Sequence, residues 1–316
     1  MSVPIFSPSS ENIQLAVSAL RRGELVGVPT ETVYGLAGRA TSDAAVANIF
    51  AVKGRPDFNP LICHVTGAEM ASRYVVWNSL AEQLAERFWP GPLTMILPRR
   101  PDCSVSLLAS AGIDSLAVRS ANHEVINNVI QLLDEGLCAP SANRSGRISP
   151  TTAQHVSDEF SEGGSMVLDG GACMVGIEST VIHLCTDTPL ILRAGSITSE
   201  ELSEFLGTHV GYGGDSKILS PGQLASHYAP SIPVRLNVMD PQPNEALLSF
   251  GNKIPVGAKT VLHLSKRGDL TEAAANLFAM MRALDSNTHS AIAVMPIPSV
   301  GIGVAINDRL KRAATR

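Results

Sequence analysis

The sequence has few aromatic and few charged residues. Aromatic residues make up 4% of the 316 positions and charged residues 17%, whereas hydrophobic residues reach 45%, a composition that excludes a disordered chain. The 29 acidic residues outnumber the 24 lysines and arginines, and the formal net charge is −5. No general positive field therefore attracts nucleic acid or an anionic membrane. An anionic ligand would need a local cluster of cations.

Signals for disulfides, membrane insertion and export are also missing. The five cysteines form no CxxC pair, which argues against a zinc ribbon and against a secreted disulfide framework. The longest uncharged stretch, 291–307, is interrupted by proline and glycine and is too short to span a bilayer; it predicts a buried strand followed by a turn. Residues 1–15 lack the basic and apolar regions of a signal peptide. We expect a cytoplasmic protein with reduced thiols in its core.

Helical and strand patterns alternate along the first two thirds of the chain. Apolar spacing predicts helices over 10–22, from Ser42 onward, around 80–88 and over 198–206, the last with Thr198 and Glu201 in capping-box register. Short apolar runs predict strands, several of which follow one another without a helix between them: 25–28, 61–65, 93–97, 115–119, 166–168, 176–184 and 190–193. This order favours an α/β fold with a mixed twisted sheet over a purely parallel one.

Glycine and proline accumulate in 207–232, where the apolar periodicity disappears. We therefore predict a first domain over 1–206, a linker over 207–232 and a second domain over 233–316. In the second domain, strands are expected at 234–238, 260–264 and 291–297, with a helix capped by Asp269. Alternating strands and helices predict a small Rossmann-like α/β domain.

The common motifs for nucleotide binding and nucleophilic catalysis are absent. Gly257-Ala258-Lys259-Thr260 lacks the adjacent glycine and lysine of a P-loop, and the chain has no HExxH, no nucleophile elbow and no dinucleotide fingerprint. Without a positioned protein nucleophile or a metal triad, catalysis would depend on holding charged substrates in line.

Two polar loops next to apolar strands could bind an anion. Lys53, Arg55 and Asn59 lie in a proline-rich loop suited to phosphate oxygens, although a solvated basic turn has the same composition. The segment 139–146, Ala-Pro-Ser-Ala-Asn-Arg-Ser-Gly, could form a backbone nest for an anion or an ordinary turn.

Four further residues allow two interpretations each. His64 lies within an apolar strand and could be a ligand-binding residue or a satisfied core histidine. Arg119 and Arg193 each end an apolar strand, where they could meet a ligand or form a salt bridge. Thr32 follows the first strand of the main sheet and could bind a ligand or only its own turn.

Read together, these segments resemble the threonylcarbamoyl-AMP synthase family in its long, two-domain form, whose first domain has a YrdC-like fold. The resemblance covers nearly the whole chain and rests on a collinear series of motifs: PTETVYGL at 29–36, KGRP at 53–56 with NPLI at 59–62 and His64, WPGPLT at 89–94, AVR at 117–119, APSAN at 139–143, SPTT at 149–152, ESTV at 178–181, SPG at 220–222, HYAP at 227–230, and the Gly301 to Leu310 segment.

The resemblance implies that L-threonine, bicarbonate and ATP are converted to threonylcarbamoyl-AMP and pyrophosphate, for modification of an adenosine in tRNA by a separate transferase complex. It implies these threonine-binding residues: Thr32, His64, Arg119, Ala139 and Ser179. It implies these ATP-binding residues: Arg55, Asn59, Ser115, Ser141, Asn143, Ser149, Arg193 and Tyr228. Lys53 and Arg55 would be catalytic, and Tyr228 would close over the nucleotide as a lid.

The same resemblance implies that the threonine amine becomes a carbamate, whose oxygen attacks the α-phosphate of ATP. Mg²⁺ would be bound through the ATP phosphates, with no protein metal site. Two alternatives stay open at this stage. One is direct RNA binding, which the acidic balance disfavours. The other is carbamoyl transfer as in hydrogenase-maturation proteins, which carry CxxC pairs that this chain lacks.

Overall fold

The computed structural model describes residues 2–160, 164–213 and 227–315. Within these ranges the helices have the following bounds: α1 Ser10–Arg21, α2 Asp43–Lys53, α3 Ala68–Ala71, α4 Ser79–Phe88, α5 Glu124–Leu133, α6 Ala153–Glu159, α7 Ser199–Leu206, α8 Leu270–Leu284 and α9 Gly303–Ala314. In the described ranges, none of these helices has the length and apolar character needed to cross a membrane.

Ten strands form a mixed sheet in the order β1-β8-β2-β3-β7-β4-β6-β5-β9-β10. Their bounds are β1 Ile5–Phe6, β2 Val26–Val28, β3 Gly35–Arg39, β4 Ile62–His64, β5 Leu93–Pro98, β6 Ser115–Arg119, β7 Leu137–Cys138, β8 Met166–Leu168, β9 Thr180–His183 and β10 Leu190–Arg193. Parallel and antiparallel neighbours alternate irregularly across this sheet. The prediction of a mixed α/β sheet is therefore confirmed.

Side-chain caps fix where several of these helices begin. Ser42 accepts a hydrogen bond from the third residue of α2, Ala45, and Gly54 ends that helix in the left-handed conformation. Thr198 and Glu201 form the predicted capping box at the start of α7. Because α2 ends at Lys53, this lysine and Arg55 lie at the start of the loop that leads from α2 to β4.

Four strands form a second, wholly parallel sheet in the order β11-β14-β12-β13. Their bounds are β11 Val234–Arg235, β12 Ala246–Phe250, β13 Thr260–Ser265 and β14 Ile292–Val294. The helix capped by Asp269 is α8, as predicted. The small Rossmann-like domain is thus confirmed in its parallel sheet and crossover helix.

The structure corrects several sequence predictions. The strand expected over 176–184 is limited to β9, since 176–179 curve past the sheet as a loop, and the strand expected over 234–238 ends at Arg235. Further elements lie outside the sequence predictions: strands β1, β3, β7 and β12 and helices α3, α5, α6 and α9. Stretch 291–307 is not only strand and turn, because α9 begins at Gly303.

The second sheet and its helices pack against the first domain next to 146–149 and 176–178. A shared apolar cluster contains Val33, Ile148 and Ile177 of the first domain with Tyr228 and Phe278. Gly176 makes this approach possible: its φ is +75°, and a Cβ there would lie 2.5 Å from the Cα of Ala275 in α8. The exact limits of 1–206, 207–232 and 233–316 stay predictions.

Candidate functional site

A partly enclosed cavity of about 40 Å³ lies where the ends of β4, β6 and β10 meet the segment after residue 226. Its walls combine three arginines with hydroxyls, main-chain groups and one carboxylate: Thr30, Thr32, Val33, Gly35, Arg55, Ile62, His64, Arg119, Ala139, Pro140, Ser141, Glu178, Arg193, His227 and Tyr228.

Arg119 is the centre of one half of the pocket. It is paired with His64 across β4 and β6. Its Nη2 lies 2.7 Å from Glu31 Oε2, its Nη1 donates to Thr32 Oγ1 at 3.0 Å, and its Nε donates to the Gly91 carbonyl at 3.1 Å. The guanidinium is therefore held on three sides, and the salt-bridge interpretation of Arg119 is correct, although the residue also lines the pocket.

The residues predicted to bind threonine come together here. Thr32, His64, Arg119 and Ala139 line the pocket. Ser179 does not, but its hydroxyl lies 3.0 Å from Arg193 Nη2 and 2.8 Å from Thr94 Oγ1. It therefore contacts the pocket residue Arg193 from just outside the wall.

His64 is buried and neutral. Burial and the positive charge of Arg119 lower the pKa of His64 to about 3. Its Nδ1 has no hydrogen-bond partner among the described residues. A neutral imidazole with an unused nitrogen in a pocket wall can bind a hydroxyl without adding charge.

Arg55 and Arg193 supply the positive charge of the other half. Burial, with the repulsion of nearby Arg193, lowers the pKa of Arg55 to about 9, and burial also lowers the pKa of Arg193 to about 10. Both guanidinium groups stay charged at neutral pH. Buried cations that repel one another are stabilised by a bound polyanion, so this half of the pocket is suited to phosphates.

Ser141 and Tyr228 line this half as well, whereas four other predicted ATP-binding residues lie outside the wall. Asn59 is fully buried, and neither polar atom of its side chain has a partner in the described part of the chain. Ser149 donates to Glu178 Oε1 at 2.5 Å, and Asn143 donates to the carbonyls of Arg144 and Arg147. Ser115 lies at the opposite end of β6 from Arg119.

Lys53 lies behind the pocket and braces its wall. The ammonium donates to the Ser141 carbonyl at 2.5 Å and also to the Asn143 carbonyl, while Ser145 N donates back to the Lys53 carbonyl at 2.8 Å. Burial and the charge of Arg55 lower the pKa of Lys53. This geometry favours a positioning role; the catalytic role of Lys53 stays a prediction.

Tyr228 lines the pocket and joins it to the second domain. The ring stacks on Phe278 of α8 with a centroid distance of 5.4 Å, and the backbone φ of Tyr228 is +62°. His227 contacts the same ring at 4.0 Å. The residue predicted to be a lid thus lines the pocket, and its closure over the nucleotide stays a prediction. The SPG motif at 220–222 lies outside the described residues.

Three charged residues of the site received no role in the sequence analysis. Glu31 pairs with Arg119. Glu178 lines the pocket, and Arg309 of α9 pairs with it, with 3.2 Å between Arg309 Nε and Glu178 Oε2. All three occur inside motifs of the chain, but their ion pairs depend on the tertiary fold. In the described part of the chain, no group of three or more histidine, cysteine, aspartate or glutamate side chains is placed to hold a metal ion.

The fold and the pocket define a two-sheet α/β protein with an arginine-rich pocket next to the contact between its two sheets. Residues 18–195 match the Sua5/YciO/YrdC family model, described as "Telomere recombination", and 197–315 match the model described as "Threonylcarbamoyl-AMP synthase, C-terminal domain". The chain belongs to the threonylcarbamoyl-AMP synthase family.

Three relatives illustrate this membership. The threonylcarbamoyl-AMP synthase of Bacillus subtilis is 35% identical, with 98% of this chain and 94% of the relative covered. That of Pyrococcus abyssi is 37% identical, with 96% and 94% covered. A crystal structure of P. abyssi Sua5 complexed with L-threonine superposes with a TM-score of 0.89 at 33% identity and covers 98% of this chain and 96% of its own.

Proposed function

We propose that this protein synthesises threonylcarbamoyl-AMP and pyrophosphate from L-threonine, bicarbonate and ATP, and that it is a nucleotidyltransferase. The observation that carries the proposal is one pocket with two cationic halves, one centred on Arg119 and the other on Arg55 and Arg193. Relatives that align with almost the whole chain are named for the same product.

The Arg119 half suits an amino acid. Arg119 would bind the threonine carboxylate as a charge-assisted donor, with Thr32 and Ser179 as neutral hydroxyl partners. His64, neutral and with its Nδ1 unpaired in the described structure, would accept the threonine hydroxyl. An arginine already held by Glu31, Thr32 and Gly91 loses little side-chain entropy on binding, which favours a fixed orientation of the substrate.

The other half suits the triphosphate. Arg55 and Arg193 would bind phosphate oxygens, and Ser141 would add a hydroxyl donor. Lys53 would hold the 141–143 segment in place. Tyr228, which is buried in the pocket wall, would exclude water from a product that hydrolyses readily.

In the proposed reaction, the threonine amine attacks the carbon of bicarbonate, and water leaves to give a carbamate. A carbamate oxygen then attacks the α-phosphorus of ATP, and pyrophosphate leaves with the electron pair of the broken P–O bond. The nucleophile comes from the substrates, which fits a pocket whose described residues place no activated serine or cysteine in it.

Mg²⁺ would enter with ATP. The one carboxylate in the pocket wall, Glu178, already accepts from Ser149 at one oxygen and from Arg309 at the other. This donor set fits an ion carried by phosphate oxygens better than one held by protein carboxylates. When bound, the ion would reduce the negative charge of the phosphates.

Release of pyrophosphate from ATP by the purified protein tests the proposal. We expect release to require both L-threonine and bicarbonate, and to fall at least tenfold when L-serine replaces threonine, since serine lacks the methyl group. Arg55→Gln and Arg119→Gln should abolish it. Release that ignores threonine, or full activity in both variants, would contradict the proposal.

The product would pass to a separate transferase complex that acts on tRNA. A cytoplasmic location belongs to the same proposal and is supported by five cysteines that all remain free thiols. Incubation of the product with such a transferase and unmodified tRNA, followed by nucleoside analysis, would test this step.

A further inference from the structure

Arg309 of α9 reaches from the second domain into the wall of the pocket. It is among the largest side chains with no exposed surface. Its Nε lies 3.2 Å from Glu178 Oε2, its Nη1 donates to the Ala194 carbonyl at 2.6 Å, and its guanidinium carbon lies 5.6 Å from the centre of the Tyr228 ring. The Arg309 side chain therefore contacts Glu178 in the loop before β9, Ala194 just after β10, and Tyr228 in the pocket wall.

Glu178 gives this contact its electrostatic meaning. The carboxylate lines the same wall as Arg193 and accepts a hydrogen bond from Ser149. Burial raises the pKa of Glu178, but the charges of Arg309 and Arg193 outweigh it and keep the pKa below its usual value. An ionised carboxylate next to the proposed triphosphate site would repel phosphates unless a cation neutralised it. Arg309 is placed to do so.

Arg309 also fixes Tyr228. A guanidinium near an aromatic face attracts the ring, more strongly where both are removed from water. The Tyr228 ring also contacts the rings of Phe278 and His227. The orientation of Tyr228 therefore depends on three side chains, and two of them, Arg309 and Phe278, belong to the second domain.

A general role in joining the two domains is the competing explanation, and another arginine already has that role. Arg282 of α8 binds Glu159 at 3.2 Å and the Ile148 carbonyl across the same interface. It does not line the pocket or contact Tyr228 in the described structure. Arg309 also pairs with its neighbour Asp308, but it differs from Arg282 because two of its partners, Glu178 and Tyr228, line the pocket.

We infer that Arg309 is a positioning residue through which the second domain sets the affinity of the first for ATP, by neutralising Glu178 and holding Tyr228 over the nucleotide. The inference rests on the proposed function and assigns a role to the second domain within it.

The test compares ATP and L-threonine binding by calorimetry in the full-length protein and in Arg309→Gln. We expect ATP binding to weaken at least tenfold and threonine binding to change less than twofold, because Arg309 contacts only the phosphate half. Arg309→Lys keeps the charge and should lose less ATP affinity than Arg309→Gln. Arg235→Gln, which breaks an ion pair with buried Glu245 in the same domain, is the matched control and should bind ATP as the unsubstituted protein does.

A double variant, Arg309→Gln combined with Glu178→Gln, distinguishes an effect of charge neutralisation from an effect on folding. If Glu178 repels the phosphates once Arg309 is lost, removing the charge of Glu178 should help ATP to bind. We expect the double variant to bind ATP at least threefold more tightly than Arg309→Gln does. Equal loss of ATP and threonine binding, unchanged ATP binding in Arg309→Gln, or no recovery in the double variant would each overturn the inference. Failure of the proposed function is distinguishable, because it would appear in the unsubstituted protein as absent threonine-dependent pyrophosphate release.

Discussion

Arg119 and Glu31 form a buried ion pair at the wall of the pocket, with 2.7 Å between Nη2 and Oε2 and only 4% of each side chain exposed. Arg119 also donates to Thr32 and Gly91. A substrate carboxylate would meet a guanidinium whose position is already fixed. Since breaking a buried ion pair leaves an uncompensated charge, this arrangement makes Arg119 sensitive to conservative substitution.

Arg119→Lys should weaken L-threonine binding at least tenfold, equivalent to about 1.4 kcal/mol or more. Lysine keeps the charge but presents a compact ammonium that cannot reach Glu31, Thr32 and Gly91 together. Calorimetric titration with threonine measures the effect. Arg99→Lys is the control, because Arg99 anchors the loop at 105–110 outside the pocket. Unchanged threonine affinity in Arg119→Lys would refute this role.

Arg193→Gln should weaken ATP binding at least 30-fold, equivalent to about 2 kcal/mol. Arg193 is one of two buried arginines in the phosphate half, and its loss leaves Arg55 as the remaining one. Saturating MgATP should therefore raise the melting temperature of the unsubstituted protein far more than that of the variant. Equal thermal shifts in the two proteins would place the nucleotide elsewhere.

Gly176→Ala should separate the two domains locally. The new Cβ would lie 2.5 Å from the Cα of Ala275 and would force a left-handed backbone on alanine. Overpacking of this kind costs about 1–3 kcal/mol. Gly171→Ala is the matched control: its φ is +85°, but nothing lies within 4 Å of the added carbon. Differential scanning calorimetry should show a larger loss of stability in Gly176→Ala than in Gly171→Ala. Similar losses in the two variants would argue against the close approach of Gly176 to α8.

Stability should fall as the pH drops below about 6.5, in part because of His64. The folded-state pKa of His64 is about 3, while the unfolded value is 6.5. The unfolded state therefore takes up a proton that the folded state excludes, and stability is kept above pH 6.5 and lost as the pH falls toward 3. Between pH 7 and 5 the loss from this group is about 2 kcal/mol.

His64→Gln should reduce this acid sensitivity, as measured by melting temperature against pH. His209→Gln, at an exposed position, should leave it unchanged. The same slope in His64→Gln and the unsubstituted protein would mean that His64 is not buried in its neutral form. His227, whose pKa burial lowers to about 3, contributes in the same direction.

Much of the fold follows from local sequence signals. Ser42, Thr198 and Asp269 start helices because their side chains cap the first free N–H groups. Helix α9 is harder to predict because it begins at Gly303 without a side-chain cap. The loop at 176–179 leads directly into the apolar strand β9, but Gly176 is left-handed and lies close to α8.

Part of the site can also be predicted from local sequence signals. Motif residues next to strand ends, such as Arg119 and Arg193, indicate where a ligand binds in an α/β sheet. The Glu178–Arg309 pair joins residues 131 positions apart, and no local pattern connects them. Likewise, the sequence around Lys53 is typical of a phosphate-binding loop, but only the tertiary fold turns the Lys53 ammonium toward the Ser141 carbonyl.

The measurement that tests the central claim most directly is mass spectrometry of the product formed from ATP, L-threonine and ¹³C-bicarbonate. Arg119 would hold the threonine carboxylate away from the α-phosphorus, so the carbamate is the expected nucleophile. We expect a threonylcarbamoyl-adenylate that carries one ¹³C atom. An unlabelled threonyl-adenylate, formed by attack of the carboxylate itself, or the absence of any adenylate would contradict this prediction.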